Sequence, residues 1–276
     1  MPELPEVEII VRHLREVLNG RRIVRAQLVR PGLAPQVSPL SFARNLKNAR
    51  VEDVSRRGKN ILIRFDNGRT LITHLRMTGQ FVLVESEAQP VVHTHAMFWL
   101  DNRMKVFFSD QRHFGWMTIV KTAAEHQTQG LSKLGAEPLE VDFTAESLHA
   151  TLRRSRRAIK LFLLDQTKVA GLGNIYVVEA LFRAGIAPQA RAHTISRPKA
   201  QRLRDAIVDV LTEAIGKGST IDSDGLSGRT YVGGEFESYW RVYDREGEPC
   251  IVCLTPIKRT RQGQRSTYYC PRCQRR

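Results

Sequence analysis

The chain opens on a helical stripe and then changes period. Val7, Ile10, Val11, Leu14, Val17 and Leu18 recur at the three- and four-residue spacing of one helix face, and Asn19-Gly20 ends the run. From Ile23 to Val120 the apolar residues fall instead in short β-rich runs: 61–65, then Asp66-Asn67-Gly68, then 70–75, 81–84, 96–100, 104–108 and 116–120. Strands at this spacing predict an antiparallel sandwich or barrel. A polar stretch without periodicity follows and reads as a linker. Helical spacing returns in Ile159, Phe162 and Leu163, again from Ile175 through Val178, Leu181 and Phe182 to Gly185, and again in Leu203, Ile207, Val210, Leu211, Ala214 and Ile215. Ser196 and Pro198 suit the cap and first turn of the last helix. Residues 219–234 are rich in glycine and serine and read as an exposed loop. Two short strands, 255–259 and 266–269, flank a turn at Gln262-Gly263.

The predicted class is therefore α+β and multidomain. An N-terminal antiparallel β-sandwich with a flanking helix spans 1–122, a linker 123–130, a helical domain 131–235 with its loop at 219–234, and a C-terminal β-hairpin 236–276.

Charge narrows the choice of partner. Lysine and arginine outnumber aspartate and glutamate by 43 to 28, a net +15, which favours a polyanion: nucleic acid or an anionic membrane surface. No apolar run approaches membrane-spanning length, and the acidic N-terminus has no signal-peptide core. A cytoplasmic, nucleic-acid-binding monomer is the economical expectation.

All four cysteines lie near the C-terminus. Cys250-x2-Cys253 and Cys270-x2-Cys273, sixteen residues apart, form two knuckles able to set four thiolates tetrahedrally around one zinc. Two disulfides are the competing reading, disfavoured in a reducing cytosol. A closed four-cysteine set leaves no open position, so such a zinc is structural.

The first residues carry chemistry of their own. Loss of Met1 turns Pro2 into a free secondary amine. A terminal amine has a reference pKa near ~7.8 against ~10.4 for lysine, so far more of it is neutral and nucleophilic at pH 7. Its attack on an aldehyde-like carbon yields an iminium that acts as an electron sink, and Glu3 stands beside it as a general acid and base. The same residues also suit a plain helix lead-in.

The run Met1-Pro2-Glu3-Leu4-Pro5-Glu6-Val7-Glu8 resembles the start of the bacterial formamidopyrimidine-DNA glycosylases. So does the segment from Asp165 to Tyr176, with Lys168-Val169-Ala170-Gly171-Leu172-Gly173-Asn174 matching that family's helix-two-turn-helix, and so does the cysteine hairpin. The resemblance runs nearly end to end. It implies bifunctional base-excision repair on double-stranded DNA with damaged bases: a DNA glycosylase and abasic-site lyase that releases oxidised purines such as 8-oxoguanine and formamidopyrimidines. Pro2 would be the nucleophile, Glu3 the proton carrier and Lys59 the active-site lysine, with β- and δ-elimination following. It further implies that Met77, Arg112 and Phe114 enter the duplex, that His74, Asn174, Tyr243 and Arg265 hold phosphates, and that Thr230 and Tyr231 lie in a loop over the extruded base. His113 stands where relatives often carry another basic residue. Endonuclease VIII-like pyrimidine repair and a non-catalytic DNA-binding protein are the rival readings.

Overall fold

The N-terminal stripe forms helix α1, Leu4–Leu18, and its apolar face is buried. In this computed structural model residues 2–219 and 238–275 are described, and contacts divide them into two units. One runs to Ser132 and takes in Gly218 and Ser219. The second holds Lys133–Lys217 and the residues from 238 onward.

Eight antiparallel strands build the first unit: β1 Arg22–Leu28, β2 Ala49–Arg57, β3 Asn60–Phe65, β4 Arg69–His74, β5 Gly79–Glu85, β6 Thr94–Leu100, β7 Met104–Asp110 and β8 Trp116–Lys121. Their order is β5-β7-β6-β1-β2-β3-β4-β8. β1 and β2 are paired only at Arg22↔Arg50 and Ile23↔Ala49, so the sheet is two four-stranded halves hinged at a corner. Ile63 and Leu71 of one half line the same small void as Phe81, Phe98 and Val106 of the other, together with Leu18 and Ile23. The halves thus face each other as a sandwich, and α1 feeds Val7, Ile10, Val11 and Leu14 into the same core.

Two features depart from the pattern reading. Helix α2, Pro39–Leu46, interrupts the β-rich region; Ser38 caps it, and it buries Phe42 and Leu46. The stretch read as the start of a linker forms a 3-10 turn, Thr122–Gln127, fastened to the sheet. There Glu125 accepts Arg64 Nη2 at 2.6 Å and the hydroxyl of Thr70 at 3.0 Å.

The second unit holds α3 Ala145–Arg153, α4 Ile159–Leu163, α5 Asn174–Arg183 and α6 Arg197–Gly216, then the hairpin β9 Lys258–Gln262 and β10 Arg265–Tyr269. Ser196 occupies the cap position of α6 without a side-chain cap bond. The hairpin is not a separate body: Val178 and Phe182 of α5 share one core with Val242, Cys250, Ile257, Tyr268 and Cys270. Its turn lies at Gly263-Gln264, both at positive φ (54° and 64°), which suits a two-residue hairpin loop. A Cβ on Gly263 would stand 2.7 Å from Leu161 Cδ2, so any larger residue would have to push that side chain aside as well as adopt a positive φ. No helix among the described residues is long and apolar enough to cross a membrane.

Candidate active site and nucleic-acid interface

Pro2 and Glu3 are buried, unusual for a chain end. Glu3 caps α1, and its N–H donates to Glu6 Oε2 at 2.7 Å, while Glu6 Oε1 accepts the hydroxyl of Ser219. One oxygen of this carboxylate, itself 2% exposed, therefore holds the residue beside the candidate nucleophile, while the other ties the carboxylate to Ser219.

Two residues on, Glu8 Oε2 accepts Arg56 Nε at 3.1 Å, and the same guanidinium donates to the carbonyl of Gly58 at 2.9 Å. Gly58-Lys59 is the two-residue loop that closes the Arg57↔Asn60 pair, with Gly58 at φ 58°. Lys59 is thus carried, buried, on a turn tied to α1. Asn60 pairs with His74 across β3 and β4. Burial, then the charges of Arg76 and Lys59, hold His74 down to about 3, so it is neutral. Its Nδ1 accepts the N–H of Arg76 at 3.0 Å, which puts the ring proton on Nε2 as a donor. The ring stacks on Trp116, centroids 6.3 Å apart.

The β4–β5 and β7–β8 turns are held as one structure by Asp110, which is fully buried. Its Oδ1 accepts the Thr78 hydroxyl and, at 3.3 Å, the N–H of Arg112; its Oδ2 accepts the N–H of Gly115 at 2.7 Å. The Arg112 N–H also reaches Thr78 Oγ1 at 3.0 Å. Glycine is needed behind them, because a Cβ on Gly79 would stand 2.5 Å from the Leu75 carbonyl. From this clamp project Met77, 39% exposed, and Phe114, 53% exposed, with Arg112 packed over the Phe114 ring at 5.0 Å. Large apolar side chains pushed into water from a rigid, fully satisfied turn are suited to insertion into something else.

In the second unit the turn before α5 is built by Gln166, whose Nε2 donates to the carbonyls of Leu164 (3.1 Å) and Leu172 (2.8 Å) and whose Oε1 accepts the N–H of Gly171 (2.9 Å). Asn174 then opens α5, whose N-terminal end carries the positive end of the helix dipole and favours an anion. One polar atom of its amide is buried without a partner among the described residues. Farther along α5, the buried Glu179 collects the N–H groups of Arg241, Val242 and Tyr243 at 2.8 to 3.1 Å. Burial pushes its carboxyl up, and those three N–H groups and Arg183 pull it back. Tyr243 is thereby fixed, its ring edge-on to Trp240 and Tyr268. Lys160, fully buried on α4, donates to the Ser266 carbonyl at 2.8 Å and to Thr267 Oγ1 at 2.7 Å, pinning the strand on which Arg265 stands exposed. Thr230 and Tyr231 lie outside the described residues.

The four Sγ atoms of Cys250, Cys253, Cys270 and Cys273 lie within 4.8 Å of one another, with Cys250–Cys273 at 3.8 Å and Cys253–Cys270 at 3.4 Å. Tetrahedral thiolates about 2.3 Å from a zinc ion stand about 3.8 Å apart, and all four cysteines are free thiols, not disulfides. The N–H groups of Val252 and Cys273 point at Cys250 Sγ and Cys270 Sγ. Hydrogen bonds from Thr255 pull the Cys253 thiol down to about 6, whereas burial pushes Cys270 and Cys273 up, so it is the donor set and its spacing that suit a metal. The donor set fits zinc.

Comparison with known proteins matches residues 1–117 to the formamidopyrimidine-DNA glycosylase N-terminal domain, 134–224 to the formamidopyrimidine-DNA glycosylase H2TH domain and 247–276 to a zinc finger found in FPG and IleRS. The chain belongs to the formamidopyrimidine-DNA glycosylase family. Among its relatives, the formamidopyrimidine-DNA glycosylase of Pelotomaculum thermopropionicum is 42% identical over 275 residues, covering 100% of this chain and 99% of the relative, and that of Acidiphilium cryptum is 43% identical over 285 residues, covering all of both. Among solved structures, Lactococcus lactis Fpg (MutM) with DNA containing N7-benzyl-Fapy-dG is similar at a TM-score of 0.91 and 32% identity over the full length of both chains. MutM with DNA containing carbocyclic 8-oxo-G is similar at 0.91 and 31%, again over both full lengths. Membership makes this a DNA glycosylase of DNA repair, and its cysteine cluster a structural zinc site.

The fold brings Pro2 and Glu3 onto the helix tied to the Lys59 turn, and Met77 beside Arg112 and Phe114. Sequence reading missed the residues that hold them: Glu6, Arg56, Asp110, Gln166, Lys160 and Glu179. Two left a mark: Glu3-x-x-Glu6 has capping-box spacing, and Lys160 interrupts the apolar run 159–163.

Proposed function

We propose that this chain is a bifunctional glycosylase and abasic-site lyase acting on oxidised purines in duplex DNA, with Pro2 as nucleophile once Met1 is removed. The observation that carries the reading is the buried, doubly fastened N-terminus: Glu6 holds Glu3, and the Glu8–Arg56–Gly58 chain joins that helix to the Lys59 turn. The capping box serves any helix start, but a helix lead-in alone needs neither the burial of Pro2 nor the tie to the Lys59 turn.

Met77 and Phe114 wedge the base stack, and Arg112 fills the vacated space and bonds the widowed base. His74, Asn174, Tyr243 and Arg265 grip the backbone while the damaged nucleotide turns out of the helix. Pro2 nitrogen attacks C1′, the N-glycosidic bond breaks, and the base leaves carrying its bonding electrons and a proton relayed through Glu3, with Lys59 assisting release. Pro2 gives up its N–H proton, and the C1′–O4′ bond breaks with its electron pair going to O4′, which takes a proton through Glu3. The opened sugar is left as an iminium between Pro2 nitrogen and C1′ that draws electrons from C2′. Loss of a C2′ proton expels the 3′ phosphate, and a second elimination expels the 5′ phosphate, leaving a one-nucleotide gap with phosphate on both sides.

Borohydride reduces the iminium to a stable amine. On a duplex with 8-oxoguanine opposite cytosine, the trapped adduct is expected on residue 2, and Pro2→Gly is expected to trap far less. A crosslink on a lysine, or undiminished trapping in Pro2→Gly, would overturn the mechanism.

A further inference from the structure

The turn ahead of α5 has a second support, which comes from a distance along the chain. Residues 135–136 belong to the same unit as that turn and lie along it as a strap. The N–H of Gly135 donates to the Gln166 carbonyl at 2.8 Å, the N–H of Ala136 to the Lys168 carbonyl at 3.3 Å, and the Ala136 carbonyl accepts the N–H of Ala170 at 2.9 Å. Ala136 and Val169 thereby pair in parallel. The strap fixes the backbone at 166, 168 and 170, and the Gln166 amide fixes it at 171 and 172. Val169, Ala170 and Leu172 are buried, so the run that ends at Asn174 is held as one piece.

Gly135 permits this close approach. A Cβ there would stand 2.4 Å from the Lys168 carbonyl oxygen, 2.5 Å from its carbon and 2.7 Å from the Thr167 carbonyl oxygen. All three are backbone atoms, so no change of rotamer makes room. Gly135 is not among the residues at positive φ, so its backbone lies outside the left-handed region that favours glycine. The demand is one of space alone, at a point where two backbones meet. A methyl group must open the gap from 2.4 Å to at least 3.0 Å, and either the strap or the turn has to give.

We infer that Gly135 is a positioning residue for the phosphate contact at the start of α5: by lacking a side chain it lets the 135–136 strap seat the turn that presents Asn174. It acts through that turn and not by contact. The inference rests on the reading of Asn174 as a phosphate holder and adds the residue that sets its place. A glycine needed only for packing would lower stability when replaced and leave the affinity of the folded protein alone. A glycine that seats Asn174 must cost affinity, and only while Asn174 is there to be misplaced.

A double-mutant cycle separates the two. Affinity is measured for a duplex carrying an uncleavable tetrahydrofuran site, at a temperature where thermal melting shows every variant folded. Gly135→Ala is expected to weaken binding about tenfold, Asn174→Ala by at least as much, and the combined variant to bind within about twofold of Asn174→Ala alone. Unchanged affinity in Gly135→Ala, or losses that simply multiply in the combined variant, would overturn the role. Full affinity in Asn174→Ala would instead remove the phosphate reading, and the inference with it. A second measurement uses the unaltered protein and stands even where the alanine variant does not fold: amide exchange with and without the same duplex. The N–H groups of Gly135 and Ala170 should gain protection together with residues 171–174, as parts of one seat. Protection gained at 171–174 alone, or at neither, would overturn the strap's part in holding them.

Discussion

Arg56 and Glu8 join strand β2 to helix α1 through an ion pair of 3.1 Å, with both side chains largely withdrawn from water. The same guanidinium supports the Gly58 carbonyl, so its loss loosens the Lys59 turn and the first turns of α1 together. Arg56→Ala is expected to lower stability by about 1 to 3 kcal/mol, chiefly because Glu8 keeps only the more exposed Arg12 as a cation and the Gly58 carbonyl loses its donor, and to slow borohydride trapping at least tenfold. Removing Glu8 as well should restore part of the stability. A double-mutant cycle followed by thermal unfolding measures this; strictly additive losses would show that the pair is not coupled.

Asp110 is the keystone of the two turns that bear Met77, Arg112 and Phe114. Asparagine at this position keeps one acceptor oxygen and puts an NH2 group against either the Thr78 hydroxyl or the Gly115 N–H. The turns should splay, and the wedge should enter the duplex less often. Asp110→Asn is expected to reduce single-turnover excision from duplex 8-oxoguanine roughly 10- to 100-fold, or about 1.4 to 2.8 kcal/mol of barrier. A fluorescent base next to the lesion reports the wedge directly, and an undiminished signal in the variant would refute the role.

Much of this architecture was legible because it depends on local pattern. The α1 stripe, six of the eight sandwich strands and the paired cysteine knuckles follow from spacing alone, since spacing decides which side chains share a face. Helix α2 was not legible: eight residues behind a Ser-Pro start carry too little periodicity to stand out from β-rich neighbours. The polar stretch at 122–127 misled for a related reason, because its hold on the sheet comes from Arg64 and Thr70, more than fifty residues away in the chain. The candidate reactive residues were visible through family resemblance, whereas their supports were not. Asp110, Gln166 and Glu179 act by accepting backbone N–H groups, and nothing in a sequence marks which carboxylate or amide will turn inward to do so.

His74 makes the fold sensitive to acid in a definite direction. Its folded-state pKa of about 3 lies below the ~6.5 of an unfolded histidine. Between these values the unfolded chain binds a proton that the folded chain does not. Its contribution is therefore complete above about pH 6.5 and is lost progressively as the pH falls toward 3. His74→Gln, which can still accept the Arg76 N–H, should show a shallower decline in urea midpoint between pH 6.5 and 4. Parallel declines in the two proteins would mean that His74 takes up its proton in the folded state.

Zinc should be present at one ion per chain, and its removal should reach beyond the hairpin. Cys250 and Cys270 share a core with Val178 and Phe182 of α5, the helix that Asn174 opens. Stripping the metal with a strong chelator, or replacing Cys253 with serine, is expected to unfold the hairpin, loosen α5 and weaken duplex binding by at least about a hundredfold, since structural zinc contributes directly to folding. The sandwich strands should keep their amide-exchange protection. Metal analysis with hydrogen exchange checks both halves of the expectation, and full DNA affinity without metal would contradict it.

Lys160 has the same relation to Arg265 that Arg56 has to Lys59, but it works from within the core. Replacing it with methionine keeps the volume and leaves the Ser266 carbonyl and the Thr267 hydroxyl short of a donor, a loss of about 1 to 3 kcal/mol. Adding Thr267→Val should recover some of that, because an apolar side chain has no bond to miss. The consequence for DNA is separable. Arg265→Gln should make the salt dependence of binding shallower by about 0.9 with little change in stability, whereas Lys160→Met should lower stability and make the salt dependence shallower by a similar amount through the displaced strand. If Lys160 acts only by positioning Arg265, the combined variant has the slope of Arg265→Gln alone, and any further decrease would mean that the lysine reaches the nucleic acid by another route.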